Sequence, residues 1–222
     1  MTRSLDPVQA DAGRAYAGET LAERRARRRQ QFLDAGLDVF GSTGYRTATV
    51  RQLCRQAGLT DRYFYESFAS LEDLLVAVYE REFDHLQQVV LATLAGEAVQ
   101  RDPMVGIELA LKALFEMASE PRVARVCWLE VLGVNARVDG VYTRTIERFA
   151  LLVVNFARQR FEGIDLDEAE SRMLGIALIG AVSQPVTHWL LGGYREDRTT
   201  MVAATARVFR GVIEGLRADA PV

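Results

Sequence analysis

The residues best suited to contacting a charged partner lie within ten consecutive positions, LTDRYFYESF at 59–68. An arginine such as Arg62 can form two hydrogen bonds with the O6 and N7 atoms of guanine. The ring of Tyr63 can contact a thymine methyl group, and the hydroxyl of Tyr65 can reach a phosphate. Asp61 is compatible with this use because a carboxylate can accept a hydrogen bond from cytosine N4. These residue types at this spacing favour recognition of a nucleic acid.

The residues used in catalysis and metal binding are few and scattered. The chain has two cysteines, Cys54 and Cys127, and two histidines, His85 and His188. None of them stands in a CxxC or Cys/His pattern, and the sequence has no glycine-rich phosphate loop. We therefore expect reduced thiols, no metal site, no cofactor and no enzymatic activity. An all-α enzyme is the disfavoured alternative, and turnover of a candidate ligand would support it.

Helix signals on both sides of the aromatic segment show how it must be positioned. Thr20 and Glu23 have the spacing of a capping box, and a helix with an apolar stripe follows up to the glycines at 41–44. Thr49 and Thr60 are plausible N-caps of two short helices separated by Gly58, which predicts a helix-turn-helix across 47–68. The second helix of such a unit enters the major groove of DNA. Arg51 and Thr60 join the expected DNA contacts, and free N–H groups after Thr49 and Thr60 suit phosphate oxygens.

Composition agrees with a helical protein that has a locally basic N-terminal part. The chain has 222 residues, 49% of them hydrophobic, with only five prolines. Residues 1–68 hold 11 arginines and 8 acidic residues, whereas the rest of the chain is acidic. Such an asymmetry is expected when the basic part has an anionic partner. No apolar run reaches the roughly 18 residues of a membrane helix, and the N-terminus lacks a signal-peptide core, so we expect a cytoplasmic protein.

Residues 32–80, FLDAGLDVFGSTGYRTATVRQLCRQAGLTDRYFYESFASLEDLLVAVYE, resemble the DNA-binding domain of the TetR family of transcriptional regulators. The residues that stand in the family's order and spacing are Phe40, Gly44, Tyr45, Thr49, Val50, Leu53, Ala57, Gly58, Tyr65 and Phe68. The resemblance covers about a fifth of the chain and has no gap. The remainder is similar only in the number and length of its helices.

This resemblance implies phosphate contacts at Thr49 and Tyr65 and base-reading or groove-facing positions at Thr60, Arg62 and Tyr63. It further implies a homodimer on a palindromic operator and a C-terminal pocket whose small-molecule ligand alters the affinity for DNA. One departure concerns Leu71, where the family usually has a phosphate-binding lysine. The arginines of ERRARRRQQ, at 23–31, are candidates to replace that contact.

The C-terminal part is expected to consist of long helices. The predicted spans are Leu71–Leu94, Met104–Ser119, Arg122–Gly133, Asp139–Phe161, Asp167–Leu191 with a bend or break at Pro185, and Glu196–Arg217. The last two are candidates for a dimer interface, with an intramolecular core as the alternative. Polar residues within apolar helices, with aromatic residues around them, suggest a ligand pocket. The candidate pocket residues are Phe115, Trp128, Glu130, Asn155, Gln184 and His188.

The sequence thus predicts an all-α protein with an N-terminal three-helix helix-turn-helix DNA-binding domain and a C-terminal helical ligand-binding and dimerisation domain. The expected boundaries are a tail at 1–18, the DNA-binding domain at 19–69 and the helical domain at 70–222. The expected function is a sequence-specific transcriptional regulator, most simply a repressor that a ligand releases. The alternative is a helical interaction protein whose helix-turn-helix no longer reads DNA. A salt-dependent DNA complex would distinguish the two.

Overall fold

Residues 20–218 are described by a computed structural model, in which they form ten α-helices and no strand. The helices are α1 (Leu21–Ser42), α2 (Val50–Ala57), α3 (Asp61–Ser67), α4 (Leu71–Leu94), α5 (Glu97–Arg101), α6 (Pro103–Ala118), α7 (Pro121–Arg125), α8 (Ala136–Arg160), α9 (Glu168–Leu191) and α10 (Arg198–Ala218). A 3₁₀ turn, Tyr45–Thr47, precedes α2, and α7 continues into a π-helical turn, Val126–Glu130. The all-α prediction is confirmed. The predicted tail at 1–18 lies outside the described residues.

The first helix begins and ends where its capping residues predict. Thr20 accepts a hydrogen bond from the backbone N–H of Glu23, and the Glu23 carboxylate accepts one from the backbone N–H of Thr20. These reciprocal bonds satisfy two donors that a helix N-terminus otherwise leaves unpaired. Two residues after α1 ends, Gly44 has φ 92°, a conformation that disfavours side chains. The chain can therefore turn sharply into the helix-turn-helix.

Helices α1, α2 and α3 enclose a small apolar core, with α4 as its fourth side. Phe32 and Phe64 are fully buried, and their rings meet edge to face with centroids 5.4 Å apart. Leu53 of α2 and Leu74 of α4 are also fully buried. Edge-to-face pairs stabilise beyond their buried area, so the aromatic residues hold α3 against α1. The predicted helix-turn-helix is thus present at the expected place.

The remaining helices form the larger C-terminal body around α4. The inward stripe of α4 is buried throughout, comprising Leu74, Leu75, Val78, Tyr79, Phe83, Leu86 and Val90. Helix α6 packs on α4 and α10, and α8 packs along α9. Gly175 permits the closest part of that contact, since a Cβ there would lie 2.9 Å from the carbonyl oxygen of Ala150.

Three C-terminal predictions need correction. Helix α5 was not predicted, because its five residues follow Gly96 without a long apolar period. The expected helix over Arg122–Gly133 begins at Pro121, changes to π-helical geometry at Val126 and ends at Glu130. A break at Pro185 is wrong, because α9 continues through that residue to Leu191.

Helix α9 carries apolar residues on its outer face as well as on its inner face. It is long and apolar enough by composition to cross a membrane, with a mean hydropathy of 1.4 over 18 residues. Its inner face packs against α8 and α10, whereas Met173 and Leu191 are 58% and 70% exposed. The outer face of this helix therefore has apolar surface without a partner among residues 20–218.

Candidate DNA interface and effector cavity

The helix-turn-helix separates packing residues from residues that can contact DNA. Phe64 of α3 and Phe68 after it are buried. The ring centroid of Phe68 lies 6.5 Å from that of Phe32. On the opposite side of α3, Arg62 has 83% of its side chain exposed and Tyr65 is 62% exposed. This outward face is available to a partner without unfolding any part of the domain.

The turn between the two short helices has the geometry of a helix-turn-helix. Gly58 adopts the left-handed conformation, with φ 66° and ψ 29°, and ends α2. Thr49 caps α2 by accepting from the N–H of Gln52, and Arg51 on its first turn is exposed. Thr60 is exposed and its side chain makes no capping hydrogen bond to α3. The hydroxyl of Thr60 is therefore available for an external partner.

The one thiol in this domain stays unreactive. Burial raises the pKa of Cys54, and the negative charge of Asp61 raises it further. A thiol with a raised pKa stays protonated at neutral pH and is a poor nucleophile. Cys54 therefore acts as a small packing residue between α2 and its neighbours.

The structure adds one charged residue, Glu66, that the sequence analysis did not assign to the site, and it places Arg28, one of the α1 arginines, beside that residue. The guanidinium of Arg28 on α1 lies 4.3 Å from the centre of the Tyr63 ring. Glu66 lies 3.1 Å from Arg62 and 3.7 Å from Arg28, measured between charged nitrogen and oxygen atoms. The sequence could have placed Arg28 near α3, because Arg28 stands one helical turn before the core residue Phe32 and therefore near the face of α1 that meets α3.

Leu71 lies at the start of α4, partly buried against the core. The cap of this helix is Ser70, which accepts from the N–H of Asp73. Leu71 thus contributes packing at a position where the resembling family has a charged phosphate contact. The predicted replacement by arginines of α1 remains a prediction.

An apolar cavity lies at the centre of the C-terminal body. It has a volume of about 100 Å³ and is lined by residues of α4, α6, α8, α9 and α10 together with the loop between α8 and α9. Representative lining residues are Leu111, Phe149, Val153, Leu178, Phe209 and Ile213. Every lining residue is aliphatic or phenylalanine. The cavity therefore suits the hydrocarbon part of a ligand and provides no polar side chain to hold a head group.

The six residues predicted to form the pocket do not line this cavity. Phe115 is buried against Trp189, and Trp128 borders a separate, smaller cavity of about 30 Å³. Asn155 is exposed on α8 beside a groove that has both charged and apolar lining residues. Gln184 and His188 are exposed on α9. The prediction was based on polar residues within apolar helices, whereas the lining of this cavity contains no polar residue.

Glu130 has a different role from the predicted ligand anchor. Its carboxylate accepts hydrogen bonds from the backbone N–H of Tyr45 at 2.7 Å and from Nε of Arg125 at 2.8 Å. Arg125 also donates to the carbonyl oxygen of Ser42 at 2.9 Å. The π-helical turn after α7 is thereby attached to the turn between α1 and α2.

An exposed recognition helix joined to a helical body with an apolar cavity is the architecture expected of a DNA-binding regulator that responds to a small molecule. Residues 32–78 match the family model described as bacterial regulatory proteins, tetR family. Residues 32–78 thus carry the DNA-binding domain of TetR-family transcriptional regulators.

Relatives resemble the chain over most of its length. The fatty acid metabolism regulator protein of Bacillus subtilis is 19% identical over 84% of this chain and 94% of its own length. The HTH-type transcriptional regulator TcmR of Streptomyces glaucescens is 25% identical over 91% of this chain and 88% of its own.

Solved structures share the fold at low sequence identity. The fatty acid degradation regulator FadR of Bacillus halodurans has a TM-score of 0.72 at 20% identity, over 86% of this chain and 96% of its own. FadR of Bacillus subtilis, solved in complex with stearoyl-CoA, has a TM-score of 0.69 at 18% identity, over 81% and 96% of the two chains.

Proposed function

We propose that this protein is a cytoplasmic repressor that binds a palindromic operator as a homodimer. A ligand with a long hydrocarbon chain enters the C-terminal cavity and releases the protein from DNA. The observation that carries the DNA-binding part is the exposed outer face of α3 on a fixed aromatic core. The observation that carries the ligand class is the wholly apolar lining of the cavity.

On DNA, α3 lies in the major groove with its N-terminal turn toward the bases. Arg62, Tyr63 and Thr60 face the base edges. Thr49 and Tyr65 contact phosphates through their hydroxyl groups, and Arg51 adds a positive charge beside the backbone. The exposure of Thr49, Arg51, Thr60, Arg62 and Tyr65 and the partial exposure of Tyr63 support this arrangement, and the division into base and phosphate contacts is the one that the family resemblance implies.

Dimerisation uses the outer faces of α9 and α10. On α10, Ala204, Val208, Gly211 and Gly215 are exposed and recur on one face of the helix. A Cβ added to Gly211 or Gly215 would meet no atom of the described residues within 4 Å, so this part of the chain leaves the face open. Together with Met173 and Leu191 on α9, it offers the apolar area that a stable dimer needs.

A hydrocarbon chain would have to enlarge the cavity. Its volume of about 100 Å³ is below the roughly 300–1,000 Å³ of ordinary ligand sites. Leu86 and Val90 of α4 line it, and the same helix closes the core of the DNA-binding domain. Enlargement therefore displaces an element shared by both domains, and a ligand that prefers the enlarged state shifts the dimer away from the DNA-binding spacing. The stearoyl-CoA complex of the Bacillus subtilis relative supports this class of ligand.

Selection of genomic fragments, followed by fluorescence anisotropy, tests the proposal. The full chain is expected to enrich a palindrome and to bind it with an affinity that falls steeply with salt. Stearoyl-CoA is expected to dissociate the complex, whereas coenzyme A without an acyl chain is not. An absence of enrichment over an Arg62→Ala, Tyr65→Ala double variant would favour the alternative of a helical interaction protein. Dissociation by coenzyme A alone would contradict the assignment of the cavity.

A further inference from the structure

Glu66 on the recognition helix lies between two arginines of very different exposure. Arg28 belongs to α1 and has only 14% of its side chain exposed, whereas Arg62 belongs to α3 and is 83% exposed. Glu66 itself has 34% of its side chain exposed. The carboxylate therefore faces the protein on one side and the DNA-binding surface on the other.

The arginine on the protein side is fixed by its surroundings. The guanidinium of Arg28 stacks on the Tyr63 ring at 4.3 Å, and that of the following residue, Arg29, lies 4.6 Å from the centre of the Phe68 ring. Both aromatic residues pack against the core beneath α3. An arginine held by stacking and burial loses little freedom when it pairs with a carboxylate. Arg28 thus keeps Glu66 in place even when Arg62 moves away.

We propose that Glu66 is a specificity-determining residue that competes with DNA for Arg62. This inference rests on the proposed reading of DNA by α3. Against a mismatched sequence, Arg62 can gain only phosphate contacts, and it must give up Glu66 to make them. Against the matching base pair it gains two hydrogen bonds to guanine, which offset the lost ion pair. The fixed carboxylate also repels nearby phosphates, so it weakens binding to every sequence that lacks the matching base.

The variant Glu66→Gln in the full chain tests this proposal. Affinities are measured by anisotropy for the selected operator and for a random-sequence duplex of equal length, over a series of salt concentrations. Binding of the random duplex is expected to tighten about fivefold, the effect of losing an exposed competing ion pair. The slope of log affinity against log salt concentration for the random duplex is expected to become more negative by about one, because Arg62 then reaches a phosphate. Operator affinity changes less, so the ratio of operator to random affinity falls.

Two further variants separate charge competition from packing and from overall charge. Glu97→Gln on α5 removes the same charge from a similar pair, Glu97–Arg101, at the same helical spacing. It is expected to leave the affinity ratio unchanged. Glu66→Asp keeps the charge in a shorter side chain and is expected to retain most of the discrimination.

The outcomes distinguish this inference from the function on which it rests. If the wild-type protein binds no operator, the proposed function fails. If it binds an operator and Glu66→Gln leaves the affinity ratio unaltered, only the role of Glu66 is overturned. Equal effects of Glu66→Gln and Glu66→Asp, or of Glu66→Gln and Glu97→Gln, would likewise overturn it.

Discussion

Arg62 projects into solvent from the first turn of α3, where its guanidinium can reach a base edge. We expect Arg62→Ala to weaken binding to the selected operator by roughly 1–3 kcal/mol and to relax specificity at one base pair of each half-site. The reason is the loss of a bidentate contact, which only one base pair can satisfy. Anisotropy with the operator and its single-base variants measures the effect. An equal loss on all sequences would show that Arg62 contacts only the backbone.

Tyr65 lies one turn further along α3, with its ring 5.3 Å from that of Phe64 and its hydroxyl outward. Tyr65→Phe keeps the ring contact and removes only the hydroxyl. We expect a uniform weakening on operator and random duplex, by about 0.5–1.5 kcal/mol for one hydrogen bond. The same titrations measure it, and a loss confined to the operator would contradict a phosphate contact.

Helix α1 contacts α7 so closely that the position between them admits only glycine. A Cβ added to Gly41 would lie 2.5 Å from Cβ and 2.6 Å from Cα of Arg122. We expect Gly41→Ala to lower the free energy of unfolding by about 1–3 kcal/mol, because the backbone of α7 must move. Gly140→Ala on α8 is the matched control, since its nearest contact is the Nη1 atom of Arg144 at 3.4 Å. Urea denaturation compares them, and equal stabilities would show that the two helices separate at little cost.

The contact between the π-helical turn and the DNA-binding domain depends on Glu130, which has only 13% of its side chain exposed. Glu130→Ala leaves the backbone N–H of Tyr45 and the guanidinium of Arg125 without this partner. We expect a loss of about 1–3 kcal/mol in the free energy of unfolding. Glu130→Gln retains an acceptor for Tyr45 and is expected to lose less. Equal losses in urea denaturation would indicate that the charge of Glu130, and not its hydrogen bond to Tyr45, stabilises the contact.

The elements of the N-terminal part could be predicted because local signals agree there with tertiary packing. Thr20 and Thr49 each cap the helix that the sequence assigns to them, and Gly58 takes the left-handed conformation. The C-terminal part lacks such agreement. The cavity is formed by side chains from five helices, and each of them looks like an ordinary core residue in its own helix. Pairings such as that of Glu130 with Tyr45 span 85 positions and leave no local trace.

Over the whole molecule, α4 joins the two regions that the proposed function must couple. Leu74 and Leu75 near its start are fully buried beside the helix-turn-helix, and Leu86 and Val90 near its end line the cavity. The contact of Glu130 with Tyr45 adds a second connection between the C-terminal body and the DNA-binding domain. This contact therefore either resists a ligand-driven displacement of α4 or sets its direction. In the proposed function, the position of each recognition helix therefore depends on the state of the cavity.

In the proposed assembly, two recognition helices must lie about 34–36 Å apart to enter successive major grooves, which only a dimer can arrange. Val208 is 45% exposed near the middle of the outer face of α10. We expect Val208→Glu to convert the dimer to a monomer, because it would bury two like charges near the centre of a symmetric interface. Light scattering after size exclusion measures the mass. Operator affinity should fall because the variant no longer dimerises, while the thermal unfolding of the monomer remains cooperative.

Leu91→Glu, at an exposed leucine of α4, is the matched control and should remain dimeric. A monomeric wild-type protein, or a dimeric Val208→Glu variant, would place the interface on another surface.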